Sequence, residues 1–338
     1  MVNILVVRQK NNQLGDTICT LPMFYALKKK FPESRITLLR GPVNYDLHYQ
    51  KVNPHLDEVL VIDRQSEWKV KKELVKTLRS RNFDYGIVPS TLELSTTAHI
   101  VNYLSGAKKR VGLSYQNDTK NQFGFLLNIK KRFDWDKQNV SQAMRAVEIV
   151  EQIGCNISPE EVDNITLALD KNNLKFADEF IKNNFDENRL LIGIHPGGKM
   201  ANRWAAKNFG EVIERLAKET NAEFLITSGD IDKDIVGELS NILKEKNIKF
   251  AIAQSLDIKD LSAVMRKFDL YISNDTGILH LASLNKVKTI GLFGPTSSSE
   301  WRPIGKDTVC IQSPTLDIND LKPEPVLNEA FKILRSKN

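Results

Sequence analysis

The sequence predicts an α/β protein built as two successive doubly wound units. Strand-length apolar runs alternate with helix-length amphipathic stretches along nearly the whole chain. The alternation lapses between residues 154 and 170, a stretch that holds Pro159, and restarts after Asn172. The length of 338 residues suffices for two domains of ordinary size, which we place at 1–160 and 161–338. Two such units imply a central cleft between them.

Residues 2–7 form an apolar run interrupted only at Asn3, as in a strand buried on both faces. A polar loop at 8–14 leads into Gly15-Asp16-Thr17 and an apolar stretch ending in Lys28-Lys29-Lys30. The acidic start and basic end suit the dipole of one helix. Strands are expected at 35–39, 58–62, 84–88 and 109–113, with helices at 67–80 and 93–104. Residues 116–139 break the rhythm: they are polar and basic, with isolated Phe123, Phe125, Phe133 and Trp135. They read as a loop over a site or as an ordered excursion. A helix at 140–153 closes the first half. In the second half, helices are expected at 174–183, 209–219, 233–246, 258–267, 277–284 and 327–335. Strands are expected at 190–195, 222–227, 249–253, 269–272 and 288–293. The last helix is a candidate to pack back on the first domain.

Hydrophobic residues at 41% and charged residues at 27% give the balance of a soluble globular protein. A net charge of +6 suits an anionic small molecule or an anionic membrane surface better than a dedicated nucleic-acid binder. Cys19, Cys155 and Cys310 are far apart and lack zinc-like spacing, so they read as free thiols in a reducing compartment. The N-terminus is strand-like rather than a signal peptide, and no apolar run approaches a bilayer span. The expectation is a cytoplasmic protein, with peripheral membrane contact left open.

The chemistry concentrates in turns that follow strands. Ser-Asn-Asp-Thr-Gly at 273–277 opens a helix, and its free amides and dipole suit a phosphate. Gly294-Pro295-Thr296 ends the next strand at the same rim. Earlier, His195-Pro196-Gly197-Gly198-Lys199 allows close backbone approach to a ligand, with Asn202, Arg203 and Trp204 just beyond. Ser228-Gly229-Asp230 follows another strand, with Asp232 close behind. Backbone donors, a lysine or arginine, and carboxylates together point to a nucleotide or another phosphorylated ligand. In the first domain, Asp16 stands where the first strand turns into the first helix. It reads as an acid that complements the helix dipole, or as a general base that accepts a hydroxyl proton.

On four segments the sequence resembles the ADP-heptose:lipopolysaccharide heptosyltransferases, the family 9 glycosyltransferases. They are Gly15-Asp16 with Leu21-Pro22 and Ala26-Leu27; His195-Pro196-Gly197-Gly198 through Trp204; Asn274-Asp275-Thr276-Gly277 with His280-Leu281-Ala282; and Leu292-Phe293-Gly294-Pro295-Thr296 with Trp301 and Pro303. The resemblance implies a GT-B fold, with two Rossmann-like domains facing a central cleft, the acceptor on the first and the nucleotide-sugar on the second. It implies inverting transfer of heptose from ADP-heptose to a lipopolysaccharide inner-core acceptor, with no metal or other cofactor. By position, Asp16 is the base. Asp275, Thr276 and Gly277 hold the donor's sugar and diphosphate, and Gly197 and Gly198 lie beside the phosphates. His280, one turn into the helix, either bonds a site loop or packs inside.

Two departures stand out. Many members carry a phosphate-contacting lysine where this chain has Asn202, which leaves Lys199 or Arg203 to supply the charge. The resemblance also implies an acid that contacts the nucleoside, for which Asp230 and Asp232 are both candidates. For an anionic acceptor or membrane face, the basic candidates are Arg40, Lys108, Lys109, Arg110 and Lys130-Lys131-Arg132. The alternatives kept open are a different nucleotide-sugar donor and a non-catalytic nucleotide-sugar-binding protein.

Overall fold

Ile4, Leu5, Val6 and Val7 are each at most 1% exposed, because their strand lies in the middle of a sheet covered on both faces. The structure is a computed structural model that describes residues 1–8, 13–42, 52–63, 65–186 and 188–335. It divides into two units, Met1–Ile165 and Thr166–Asn338. The loop expected at 8–14 lies mostly outside the described residues.

In the first unit, β1 (Asn3–Arg8) lies between β2 (Arg35–Arg40), followed outward by β3 (Glu58–Val61), and β4 (Tyr85–Ile87). Beyond β4 come β5 (Lys109–Gln116) and the short antiparallel β6 (Thr119–Lys120), while β7 (Ile129–Phe133) pairs in parallel with β5. The helices are α1 (Leu14–Cys19), α2 (Leu21–Lys30), α3 (Trp68–Ser80), α4 (Thr96–Leu104), α5 (Trp135–Gln138), α6 (Gln142–Glu151) and α7 (Pro159–Asp163).

Two expectations are corrected here, and one open alternative is resolved. The single helix ending at Lys30 is two, broken at Thr20, because Pro22 lacks the N–H that a continuous helix would donate to Ile18 and its ring would meet that carbonyl. The helix expected from residue 93 starts at Thr96, where the Ser95 hydroxyl accepts the Ala98 N–H at 3.3 Å. The break at 116–139 is an ordered excursion that widens the sheet: Phe133 and Trp135 stack at 5.0 Å between centroids and are buried. Its β7 partner extends β5 three residues past the expected end.

The second sheet is wholly parallel. Its order is β10 (Phe250–Gln254), β9 (Ala222–Ser228), β8 (Leu190–His195), β11 (Leu270–Asn274), β12 (Thr289–Phe293) and β13 (Thr308–Gln312). Around it lie α8 (Lys171–Asn184), α9 (Ala206–Glu219), α10 (Lys233–Glu245), α11 (Ile258–Met265), α12 (Gly277–Leu284) and α13 (Pro323–Arg335). The sequence reading missed β13, an edge strand whose residues are mostly half-buried and whose apolar run is only three residues long, Val309-Cys310-Ile311.

The last helix, α13, contributes to the core of its own unit. Val326, Leu327, Ala330 and Leu334 enter the second unit's own core beside Trp204, Phe209 and Val212. Their spacing puts all four on one helix face. Leu327→Ala should therefore lower the unfolding free energy of the second unit by about 2–5 kcal/mol in a urea titration. An unchanged midpoint would contradict this packing.

Candidate functional site

In the second unit, β8 and β11 are central neighbours, and the strand order runs outward from them in opposite senses. A doubly wound sheet opens its ligand crevice at the carboxyl ends of such a pair. Those ends are His195 and Asn274.

Asn274, fully buried, holds the crevice together. Its Nδ2 donates to the carbonyls of Pro196 at 2.8 Å and Gly197 at 3.1 Å, and its Oδ1 accepts the Trp204 amide at 3.3 Å. Trp204 is itself buried and donates its indole N–H to Leu321 O at 2.8 Å. The loop's glycines are required by space. A Cβ on Gly197 would lie 2.3 Å from the Asp232 carboxyl carbon. Gly198 has φ +125°, and a Cβ there would lie 2.8 Å from Thr276 Cγ2.

Asp232 and Arg203 brace this loop. Asp232, 4% exposed, accepts the amides of Gly198 at 3.1 Å and Gly229 at 3.0 Å. Arg203 donates Nε to Gly198 O at 2.6 Å, Nη1 to Asp234 at 2.7 Å and Nη2 to Ile231 O at 3.0 Å, and lies 3.7 Å from Asp232. The two acids that the sequence left equal are thus separated. Asp230 is exposed on the rim, where it accepts the Ser255 hydroxyl at 3.0 Å.

The turn at 275–277 meets the loop from the other side. Thr276 is the N-cap of α12, in extended conformation, with its side chain bonding none of the helix amides. Its buried Oγ1 has no protein partner. The first-turn amides of Gly277, Ile278 and Leu279 also lack intrahelical acceptors, as at any helix start. Asp275 accepts the Thr296 hydroxyl at 2.5 Å, which ties in the Gly294-Pro295-Thr296 loop. Burial pushes its carboxyl up to about 6, against the lowering effects of the Thr296 bond and the Lys199 charge. Lys199 is exposed, and Asn202 Nδ2 reaches Asp275 O at 3.4 Å.

Two histidines are interior and neutral. Burial pushes His280 down to about 4, and its ring lies edge-on to Trp301 at 6.4 Å. Burial also lowers His195, which donates Nδ1–H to Thr227 O at 3.0 Å. Thr227 continues the chain to the Tyr271 hydroxyl at 2.6 Å.

In the first unit, Asp16 is the third residue of α1 and 8% exposed. Its Oδ2 accepts the Gln13 amide at 3.1 Å, so it does serve the helix start. Arg8, at the end of β1, lies 3.7 Å from Oδ1 and donates to the Asp16 carbonyl at 2.8 Å. Two small hollows flank Arg8. One is lined by Thr17, Thr20 and Asn53, the other by Pro89, Ser90 and Thr91.

The structure therefore brings Gly197, Gly198, Lys199, Asn202, Asp275, Thr276 and Gly277 to one crevice, with Asp230 on the rim near Ser255. It places Asp232, Arg203 and His280 inside the supporting framework, and Asp16 in the other unit. Sequence reasoning missed Arg8 and the Asn274 clamp, although each sits at the last residue of a central strand, the one signal that was available. Among the described residues, no group of three or more His, Cys, Asp or Glu side chains is arranged to hold a metal ion.

Comparison with known proteins follows the same lines. The sequence profile of glycosyltransferase family 9 (heptosyltransferase) matches residues 72–328. Lipooligosaccharide heptosyltransferase 2 of Campylobacter jejuni serotype O:2 is 24% identical, over 96% of this chain and 97% of its own length. Among solved structures, the family 9 glycosyl transferase of Veillonella parvula superposes with a TM-score of 0.77 at 20% identity, covering 99% of this chain and 97% of that one. The Escherichia coli ADP-heptose lps heptosyltransferase II superposes with a TM-score of 0.74 at 17% identity, covering 99% of each chain. The fold is thus GT-B.

The raised carboxyl of Asp275 has a measurable consequence. A group protonated more readily in the fold than in the unfolded chain stabilises the fold fully below about pH 4, and this contribution fades as pH rises through about 6. From pH 4 to 7, the wild type should lose up to about 3 kcal/mol of unfolding free energy relative to Asp275→Asn. Parallel stability–pH curves for the two proteins would contradict the buried setting of Asp275.

Proposed function

The chain belongs to glycosyltransferase family 9, and from that premise we propose that it moves heptose from ADP-heptose to a lipopolysaccharide or lipooligosaccharide inner-core acceptor. The observation that carries the proposal is the crevice at the ends of β8 and β11. Helix amides, the unpartnered Thr276 hydroxyl and a glycine loop converge there, and each is suited to diphosphate oxygens. The relatives' names supply the sugar and the class of acceptor. We place the reaction in the cytoplasm, on the cytoplasmic side of the inner membrane.

In the proposed reaction, an acceptor hydroxyl attacks the anomeric carbon of the heptose. The bond from that carbon to the diphosphate breaks, ADP leaves with the electron pair, and the configuration inverts. Asp16 takes the hydroxyl proton as the new bond forms. Arg8 keeps the carboxylate turned by pairing with Oδ1 and gripping the backbone carbonyl. The growing charge on ADP is met by the N-terminus of α12, without a metal. Asp275 faces the sugar, Asp230 the nucleoside ribose, and Gly197 and Gly198 let the phosphates approach the backbone.

Asn202 carries no charge, and every Arg203 nitrogen already has a protein oxygen nearby. Lys199, exposed and close enough for its charge to act on Asp275, is therefore assigned to the diphosphate. His280 and Asp232 support the loops without touching the donor.

Two kinds of measurement, kinetic and calorimetric, test this reading. Asp16→Asn should lower kcat by about 10²–10⁴-fold while ADP affinity stays unchanged, since a general base contributes on that scale. A near-normal kcat would remove Asp16 as the base. In calorimetric titrations with ADP, UDP and GDP, the wild type should prefer ADP. Lys199→Ala should weaken ADP binding about tenfold or more, and Asn202→Lys should strengthen it. Preference for UDP would reassign the donor, and an unchanged ADP affinity in Lys199→Ala would remove that lysine from the site.

A further inference from the structure

Four of the basic residues singled out in the first unit, Lys108, Arg110, Lys130 and Arg132, differ in how their charge is met, and Arg79 lies close to them in the fold. Lys108 is paired with Asp84 at 2.9 Å, and Arg132 lies about equally close to Asp134 and Asp118, at 3.0 and 3.1 Å. Among the described residues, Arg110, Lys130 and Arg79 have no acidic partner. Arg110 donates to the carbonyls of Leu126 at 2.6 Å and Ala107 at 2.9 Å, with its guanidinium 5.4 Å above the Tyr103 ring. Lys130 donates to Gly124 O at 2.7 Å, and Arg79 to Leu104 O at 2.9 Å. Carbonyls and rings fix where these cations sit but leave their charge uncompensated.

The same contacts gather exposed apolar side chains between the cations. Ile100 and Tyr103, three apart on α4, are 38% and 50% exposed. The 3-10 turn at Gly124–Leu126 packs against that helix and carries Phe125, which is 73% exposed. Phe125 stacks on Phe123 with centroids 6.2 Å apart, so its outer face is presented from a fixed base. Folding does not explain a phenylalanine at the tip of a turn, where a polar residue would be better solvated.

We propose that this patch, with Ile100, Tyr103 and Phe125 at its centre and Arg79, Arg110 and Lys130 around it, docks the protein on an anionic lipid surface. Aromatic and aliphatic side chains enter the headgroup boundary, and uncompensated cations attract the anionic lipids around them. A nucleic acid fits less well, because the cations surround an apolar centre that includes an aliphatic residue rather than following a groove. The docking does not depend on which sugar the crevice binds.

Co-sedimentation of the full chain with vesicles tests it. The vesicles are pure phosphatidylcholine, or phosphatidylcholine with roughly one-third phosphatidylglycerol. The wild type should sediment with the anionic vesicles alone and be released by added salt. The double variant Tyr103→Ser/Phe125→Ser should bind them at least about tenfold more weakly, since two aromatic side chains no longer bury. Its ADP affinity and melting temperature should match the wild type. Ile252→Ser, which removes an exposed aliphatic residue from the second unit, should leave sedimentation unchanged. The proposal is overturned if the wild type ignores anionic vesicles, or if the double variant binds them as the wild type does. Equal losses from Ile252→Ser, or preferential binding of single-stranded RNA in the same buffer, overturn it as well.

Discussion

One buried carboxamide fixes the geometry of the second unit's crevice. Asn274 closes β11, and its side chain spends both donor hydrogens on the glycine loop and its oxygen on Trp204. Removed from water, such a group is tolerable only when its bonds are made, so the loop is held where the carboxamide requires it. The residue that follows Asn274 reaches the Thr296 loop, and the one after that caps α12. Three segments far apart in sequence are thereby set around one point.

The charges divide between framework and surface in a consistent way. Asp232 and Arg203 lie inward, where amides and carbonyls satisfy them. Lys199 and Asp230 stay on the exposed side. Between these extremes, Asp275 is desolvated enough to raise its carboxyl, yet it is bonded to Thr296. A carboxyl in that setting responds strongly to the charge of whatever occupies the crevice. His195 and His280, both neutral by burial, contribute packing and hydrogen bonds rather than charge.

Much of the fold was legible because buried parallel strands write themselves as apolar runs. Residues 190–195 were bounded correctly for that reason, and the glycine turns after β8, β9 and β11 marked the crevice. The misses have local causes. Pro22 broke a helix whose dipole pattern looked continuous. β13 lies at a sheet edge, where half-burial shortens the apolar run. Which of Asp230 and Asp232 accepts two loop amides is a tertiary fact that two acids in one short turn do not encode. The uncompensated state of Arg110 and Lys130, against the pairing of Lys108 and Arg132, was hidden for the same reason.

The central claim is that the loops gathered by Asn274 receive a nucleoside diphosphate. Hydrogen exchange of backbone amides, with and without saturating ADP, addresses it most directly. The account predicts slowed exchange at residues 277–279 and at 198–199, where amides would donate to phosphate oxygens. Saturation with ADP that leaves those amides exchanging at their free rates, with protection appearing elsewhere, would contradict it.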